Sequence, residues 1–182
     1  MQYAMSNGRL DKARYCESPN RDARPDAIVI DLLVIHCIAL PPGLYGGRYV
    51  EQLFCNCLPA NVHPYFNEVC SMQVSAHFLV RRSGAITQFV DCEDRAWHAG
   101  QSSFAGREHC NDFSIGIELE GRDDGLFTGA QYQVLAALTR ALQQQYPGIG
   151  NDRVVGHQDI APGRKTDPGS GFDWSRFRAM LE

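Results

Sequence analysis

The run Ile28-Val29-Ile30-Asp31-Leu32-Leu33-Val34-Ile35 is almost unbroken in aliphatic residues and stops at His36. A half-exposed strand alternates apolar and polar residues, whereas a continuous apolar run of this length predicts a strand covered on both faces. The chain is therefore expected to build a sheet around this segment, with the His36 imidazole at the strand's tip.

A second histidine stands in the same relation to a strand near the other end, in Val155-Gly156-His157-Gln158-Asp159-Ile160-Ala161-Pro162-Gly163-Arg164-Lys165-Thr166-Asp167-Pro168-Gly169. Loops punctuated by Gly and Pro and rich in His, Asp and Lys carry chemistry more often than they carry a core. Pro162 and Pro168 fix where Lys165 and Asp167 return toward His157, so the loop reads as half of a metal site. Two strand-end histidines and one carboxylate make the three-ligand set of a catalytic zinc, with a fourth position open to water. Taken singly, either histidine reads as a hydrogen-bonded structural residue. The Lys165-Thr166-Asp167-Pro168 context moves the reading to metal.

At 182 residues the chain is long enough for one domain that buries roughly 70% of its unfolded surface. A formal net charge of −4 with dispersed Lys and Arg offers no basic stripe for nucleic acid or an anionic membrane. Neither the first residues nor any later run is apolar for long enough to serve as a signal peptide or membrane span, so a cytoplasmic protein is expected. Seven cysteines without a CxxC pair predict reduced packing residues rather than a disulfide framework or a thiolate zinc cage.

Residues 1–26 are polar and turn-rich and read as an arm laid over a catalytic domain at 27–182. Residues 41–71 read as a long insertion with one short amphipathic piece at Tyr49 to Phe54, either a wall of a cleft or a plain surface loop. Val74 to Val80 and Ala85 to Val90 flank Arg81-Arg82-Ser83-Gly84 as a hairpin. In the following strand Phe113, Ile115, Ile117 and Leu119 share one face, while Ser114, Gly116, Glu118 and Glu120 share the other. The small residues at 114 and 116 are expected to leave room beside Glu118 for substrate or water. Thr128 and Gln131 fit a capping box ahead of Val134, Leu135, Leu138, Ala141 and Leu142 at helical spacing, and Tyr146-Pro147-Gly148 stops that helix. A last short helix begins at Asp173 and buries Trp174 and Phe177.

Five motifs in order, His36 with Leu40-Pro41-Pro42-Gly43, Ser75-Ala76-His77-Phe78-Leu79-Val80, Arg95-Ala96-Trp97-His98-Ala99-Gly100, Asn111 to Gly121, and the C-terminal loop, make the chain similar over nearly its whole length to the AmpD-type N-acetylmuramoyl-L-alanine amidases. That resemblance implies an α/β single domain with a central mixed β-sheet flanked by helices, the fold shared with peptidoglycan recognition proteins. It implies zinc-dependent hydrolysis of the lactyl amide between (1,6-anhydro-)N-acetylmuramic acid and L-alanine in cytoplasmic muropeptides. The role implied is cell-wall recycling, and through fragment levels the control of β-lactamase induction. The zinc ligands implied are His36, His157 and Asp167, with Glu118 as acid/base and Lys165 stabilising the transition state. The expected partner is a small-molecule muropeptide, without nucleic acid or membrane, acted on by a monomer.

Within this reading Trp97, His98 and Ala99 offer a wall for sugar or peptide, and Arg107, like Arg81 and Arg82, a grip on stem-peptide carboxylates. His77 reads as a structural residue near the site. The chain departs from the family pattern at Cys37, where relatives usually place Asn, and at Gln73 and His109, where some have Arg. Two rival readings carry less: a non-haem iron centre would need a histidine after the His157-Gln158-Asp159 triplet, and none follows. A non-catalytic muropeptide-binding module would not be expected to keep the three ligands together with Glu118 and Lys165.

Overall fold

In the computed structural model, which describes residues 2–182, the apolar run becomes a strand at Leu32–Ile38, four residues later than the hydropathy places it. Val29 is 64% exposed, and the Asp31 carboxylate is held by Arg107 and Arg153. Asp31 N still donates to Phe113 O at 3.1 Å, and the paired register begins one residue later at Leu32. As a result His36 lies inside the strand, with Cys37 and Ile38 continuing past it, rather than at its tip.

Six strands make the main sheet: β1 (Arg14–Tyr15), β2 (Leu32–Ile38), β3 (Phe78–Val80), β4 (Ile86–Gln88), β5 (Ser114–Glu120) and β6 (Val154–Gly156). Their spatial order is β6-β2-β5-β3-β4-β1. The pairs β6–β2, β2–β5, β5–β3 and β4–β1 are parallel, and the β3–β4 hairpin alone is antiparallel. The helices are α1 (Tyr49–Phe54), α2 (Phe66–Val69), α3 (Gly129–Gln145), α4 (His157–Ile160) and α5 (Trp174–Ala179). The expected α/β domain with a mixed central sheet is what the chain forms, and no helix among the described residues is long and apolar enough to cross a membrane.

Period-two alternation decides which face of the sheet does what. Leu33 and Ile35 of β2 and Ile115, Ile117 and Leu119 of β5 enter one core with Val134, Leu135, Leu138 and Leu142 of α3. Each such side chain taken fully out of water contributes roughly 1.5–3 kcal/mol. Helix α3 begins in the predicted box: Thr128 Oγ1 accepts from Gln131 N at 3.1 Å, and Gln131 Oε1 accepts from Thr128 N at 3.0 Å. The opposite face carries Ser114, Gly116, Glu118 and Glu120 of β5 beside His36 of β2, and the parallel register sets Glu118 directly across from His36.

The 41–71 segment has a core of its own. Val50, Leu53, Phe54, Leu58 and Phe66 are buried against Leu79, Phe89 and Val90, which decides for a built wall over a loose loop. A buried ion network ties this wall to the sheet. Arg81, in the hairpin turn, donates to Glu51 of α1 at 3.0 Å and to Glu120 of β5 at 2.8 Å, and Glu51 also pairs with Arg14 of β1. Gly84 closes that hairpin turn at φ +88°, where a Cβ would also stand 3.1 Å from Val134.

The first 26 residues contribute β1 at the sheet edge and a strand at Arg21–Ala23 paired with Asp94–Ala96. Tyr3 and Leu10 reach the α3 core. Trp174 is half-buried rather than buried, leaning on Phe172 while Phe177 fills the interior. All seven cysteines are free thiols, and Cys92 and Cys110 are buried among apolar side chains.

Candidate metal centre

Three donor atoms converge where β2, the start of α4 and the C-terminal loop meet. His36 Nδ1 stands 3.0 Å from His157 Nδ1 and 3.2 Å from Asp167 Oδ2, and His157 Nδ1 stands 3.1 Å from the same carboxylate oxygen. Among the described residues this is the one group of His, Cys, Asp and Glu side chains arranged as if around a cation. Donors about 2.0–2.1 Å from a tetrahedral zinc would lie about 3.3 Å apart, so the spacing fits that ion with little adjustment. The strand β6 delivers His157 and ends there, because α4 starts at that residue with Asp159 accepting from Gly156 N at 2.7 Å. Gln158 N donates to Asp167 O at 3.0 Å and brings the loop back over the histidine.

The outward nitrogens fix which atoms carry protons. His157 Nε2 lies 3.2 Å from Ala99 O. A carbonyl can only accept, so Nε2 bears a hydrogen and Nδ1 is the nitrogen turned toward the cluster. Burial pushes the His36 imidazole down to about 4, against the pull of Asp167, so His36 is neutral near pH 7. Its Nε2 meets His98 Nδ1 at 2.9 Å. Two nitrogen lone pairs and a carboxylate oxygen facing one another repel unless a proton or a cation lies among them, and a set of two imidazoles and one carboxylate suits a divalent ion such as zinc.

Glu118 completes the inner side. Burial, helped by the Asp167 charge and only partly offset by Lys165, pushes its carboxyl well above the usual carboxylate range. Its Oε2 is buried and has no hydrogen-bond partner among the described residues, an arrangement that costs free energy and recurs at sites where a ligand or water supplies the missing partner. Glu118 and Lys165 both line a cleft of about 480 Å³ that reaches the three donors. The far wall is apolar, built by Leu53 and Phe54 of α1 together with Tyr65 and Val69. Lys165 itself is exposed.

The structure thus brings His36, His157, Asp167, Glu118 and Lys165 to one cleft. Trp97 lines it too, with its indole Nε1 donating to Asp22 at 3.1 Å. Ala99 is buried, and its carbonyl serves His157. Arg107 lies elsewhere: its guanidinium grips Asp31 at 2.8 Å and covers the Phe113 ring. Arg81 is taken up by Glu51 and Glu120. The room expected beside Gly116 is filled by the His98 ring. His77 is structural as read, accepting from Gly116 N at 3.0 Å and facing Asp94 O and the Arg24 guanidinium. Of the departures, Cys37 packs near Pro168, Gln73 is exposed, and His109 opens a 3-10 turn at φ +58°. Sequence reasoning missed Asn111, whose Oδ1 accepts from both His98 N and Ala99 N, at 3.1 and 2.8 Å.

The family described as N-acetylmuramoyl-L-alanine amidase matches residues 24–170. The chain is 54% identical to the 1,6-anhydro-N-acetylmuramyl-L-alanine amidase AmpD of Citrobacter freundii, over 97% of this chain and 94% of that protein. A crystal structure of a selenomethionine AmpD derivative superposes with a TM-score of 0.95 at 53% identity, covering 98% of this chain and 99% of the other. The amidase AmiD of Escherichia coli, solved with the substrate anhydro-N-acetylmuramic acid-L-Ala-D-γ-Glu-L-Lys, is 28% identical with a TM-score of 0.63, over 98% of this chain and 65% of AmiD.

Proposed function

The chain belongs to the N-acetylmuramoyl-L-alanine amidase family, and we propose that it hydrolyses the amide between the lactyl group of 1,6-anhydro-N-acetylmuramic acid and L-alanine, with zinc held by His36, His157 and Asp167. The observation that carries this reading is the meeting of three lone-pair donors with an unpartnered buried carboxylate in one cleft. A zinc ion so held supplies Lewis acidity toward the carbonyl and lowers the pKa of water toward about 7.

The remaining work falls to the chain's own groups. Glu118 Oε2, desolvated and unpaired, takes a proton from the attacking water and returns it to the departing alanine nitrogen. Desolvation raises its carboxyl above the usual carboxylate range, which favours its taking up that proton. Lys165 sets a fixed positive charge at the cleft mouth, where the oxyanion of the tetrahedral intermediate develops. The apolar wall from Leu53 to Val69 keeps bulk water from the reacting amide and offers contact area to the stem peptide or the sugar. Trp97 adds an aromatic edge on the same side.

We assign the cellular substrate to cytoplasmic muropeptides released in cell-wall recycling, and through their level an influence on β-lactamase induction, with a monomer as the working unit. The division into an arm at 1–26 and a catalytic domain at 27–182 belongs to the same proposal.

The test is mass spectrometry of anhydromuramyl tripeptide incubated with protein stripped of metal and then given one equivalent of zinc. Free tripeptide released only after zinc is restored is the expected result. Intact substrate that still binds would replace hydrolysis with a recognition role.

A further inference from the structure

We propose that His98 is a positioning residue for His36, fixing the tautomer and rotamer in which Nδ1 points into the metal centre. This rests on the metal reading above and adds a second layer to it. His36 has two ring nitrogens, and only one faces the cluster. A ring free to turn about its Cβ–Cγ bond would spend part of its time with Nδ1 out of place. His98 removes that freedom: its Nδ1 lies 2.9 Å from His36 Nε2 and can be satisfied there only as an acceptor once its own proton sits on Nε2. That proton has a partner, because His98 Nε2 meets Ser114 Oγ at 3.3 Å. The proton order then runs one way, from His36 Nε2–H to His98 Nδ1 and from His98 Nε2–H to the Ser114 hydroxyl.

Two further observations show that this ring has a built seat. The backbone N–H groups of His98 and Ala99 both donate to Asn111 Oδ1, at 3.1 and 2.8 Å, which locks the turn. On β5, a Cβ at Gly116 would stand 2.5 Å from His98 Cγ and 2.6 Å from His98 Nδ1. The strand therefore lacks a side chain at the point where the imidazole lies. The same turn serves the second histidine through the Ala99 carbonyl, 3.2 Å from His157 Nε2. One short segment thus holds the outer nitrogen of both imidazoles, by a side chain in one case and by backbone in the other.

The experiment measures zinc affinity by competition with a chromogenic chelator, and the visible spectrum of the cobalt(II)-loaded full-length chain, for wild type, His36→Ala, His98→Phe, His98→Asn and Gly116→Ala. His98→Phe keeps a ring but loses the acceptor. His98→Asn places an oxygen near the former Nδ1. Loss of an outer-shell partner typically costs 10–100-fold in metal affinity, and that loss with a shifted cobalt spectrum is expected for His98→Phe and for Gly116→Ala, with His98→Asn recovering most of it. Zinc affinity and cobalt spectrum unchanged in His98→Phe, with wild type binding tightly, would overturn the proposal and leave the metal centre standing. Equal losses in His98→Phe and His98→Asn would also overturn it, since packing alone would then explain them. Wild type binding no tighter than His36→Ala would instead sink the metal reading on which the proposal rests.

Discussion

Glu118→Gln separates proton transfer from metal binding, because glutamine keeps the shape of the side chain and cannot take up a proton. Glu118 lies across the parallel ladder from His36 and is no part of the three-donor group, so the variant is expected to hold one zinc per chain. Positioned general acid–base catalysis contributes about 10²–10⁴-fold, equivalent to about 2.7–5.5 kcal/mol of barrier. A kcat drop of about 10³-fold with KM within about threefold is expected, read by chromatographic release of peptide under saturating substrate. The same substitution has a sign in stability. Wild-type Glu118 carries a folded pKa raised above its ordinary 4.5 by burial. Its contribution is intact below about pH 4.5 and is lost as pH rises through the folded value, because the folded site must then hold an ion it cannot solvate. Metal-free Glu118→Gln escapes that loss, so its Tm should exceed that of metal-free wild type by a margin that opens with rising pH. Activity within tenfold of wild type in the zinc-loaded variant would refute the acid–base role, and a Tm difference independent of pH would refute the electrostatic argument beneath it.

Asp167→Ala and His157→Ala should each lose zinc and turnover together, checked by metal analysis of the purified chains beside the peptide-release assay. Arg81→Met leaves Glu51 and Glu120 without the cation they share; removing one member of a buried charge group costs about 3–5 kcal/mol, measurable as a fall in the urea midpoint. Phe66→Ala opens the core of the cleft wall, where Phe66 is fully buried, and should cost about 3–5 kcal/mol while leaving zinc stoichiometry intact. In metal-free protein His36 is lowered from 6.5 to about 4 by burial, so between those values the unfolded chain takes up a proton that the folded chain refuses. Stability should fall by about 3 kcal/mol as pH drops across that window, and a His36→Gln chain should show a flatter profile.

The fold was legible wherever one local rule acted without competition. The β5 face assignment, the Thr128 cap and the stop at Tyr146 follow from period-two alternation, a side chain reaching its own helix terminus, and a Pro-Gly break. The start of β2 was misplaced because hydropathy counts Ile28, Val29 and Ile30 as strand. Asp31 is claimed by two arginines from distant parts of the chain, Arg107 and Arg153, and a partner 76 or 122 residues away leaves no mark in a local window. The wall at 41–71 was readable as an insertion and in its α1 helix. Its packing was not, since Leu79 of β3 and Phe89 and Val90 beyond β4 join its buried cluster only after the sheet has formed.

The candidate centre divides along a different line. The inner groups are side chains with chemical character of their own, and a histidine, aspartate or glutamate can be noticed in a sequence whether or not its neighbours are known. The outer layer is largely made of things whose role a sequence does not display: the Ala99 carbonyl, which any residue could supply, and the seat that Gly116 leaves for the His98 ring. Small residues on β5 were read as space for substrate, yet the space is taken by His98. The physical distinction is that a gap in a strand face fixes a volume and says nothing of its occupant. Trp97 to Ala99 read as a substrate wall on the strength of the aromatic ring, and Trp97 does line the cleft. The two residues after it turn inward because Asn111 captures both of their N–H groups. An Asn→Ala change at 111 should therefore act on the centre without touching it, loosening His98 and Ala99 together and weakening zinc through both histidines at once. If the two outer contacts are one frame, Asn111→Ala should lower affinity no less than His98→Phe and add little to it in the double variant, whereas independent contacts would give losses that multiply.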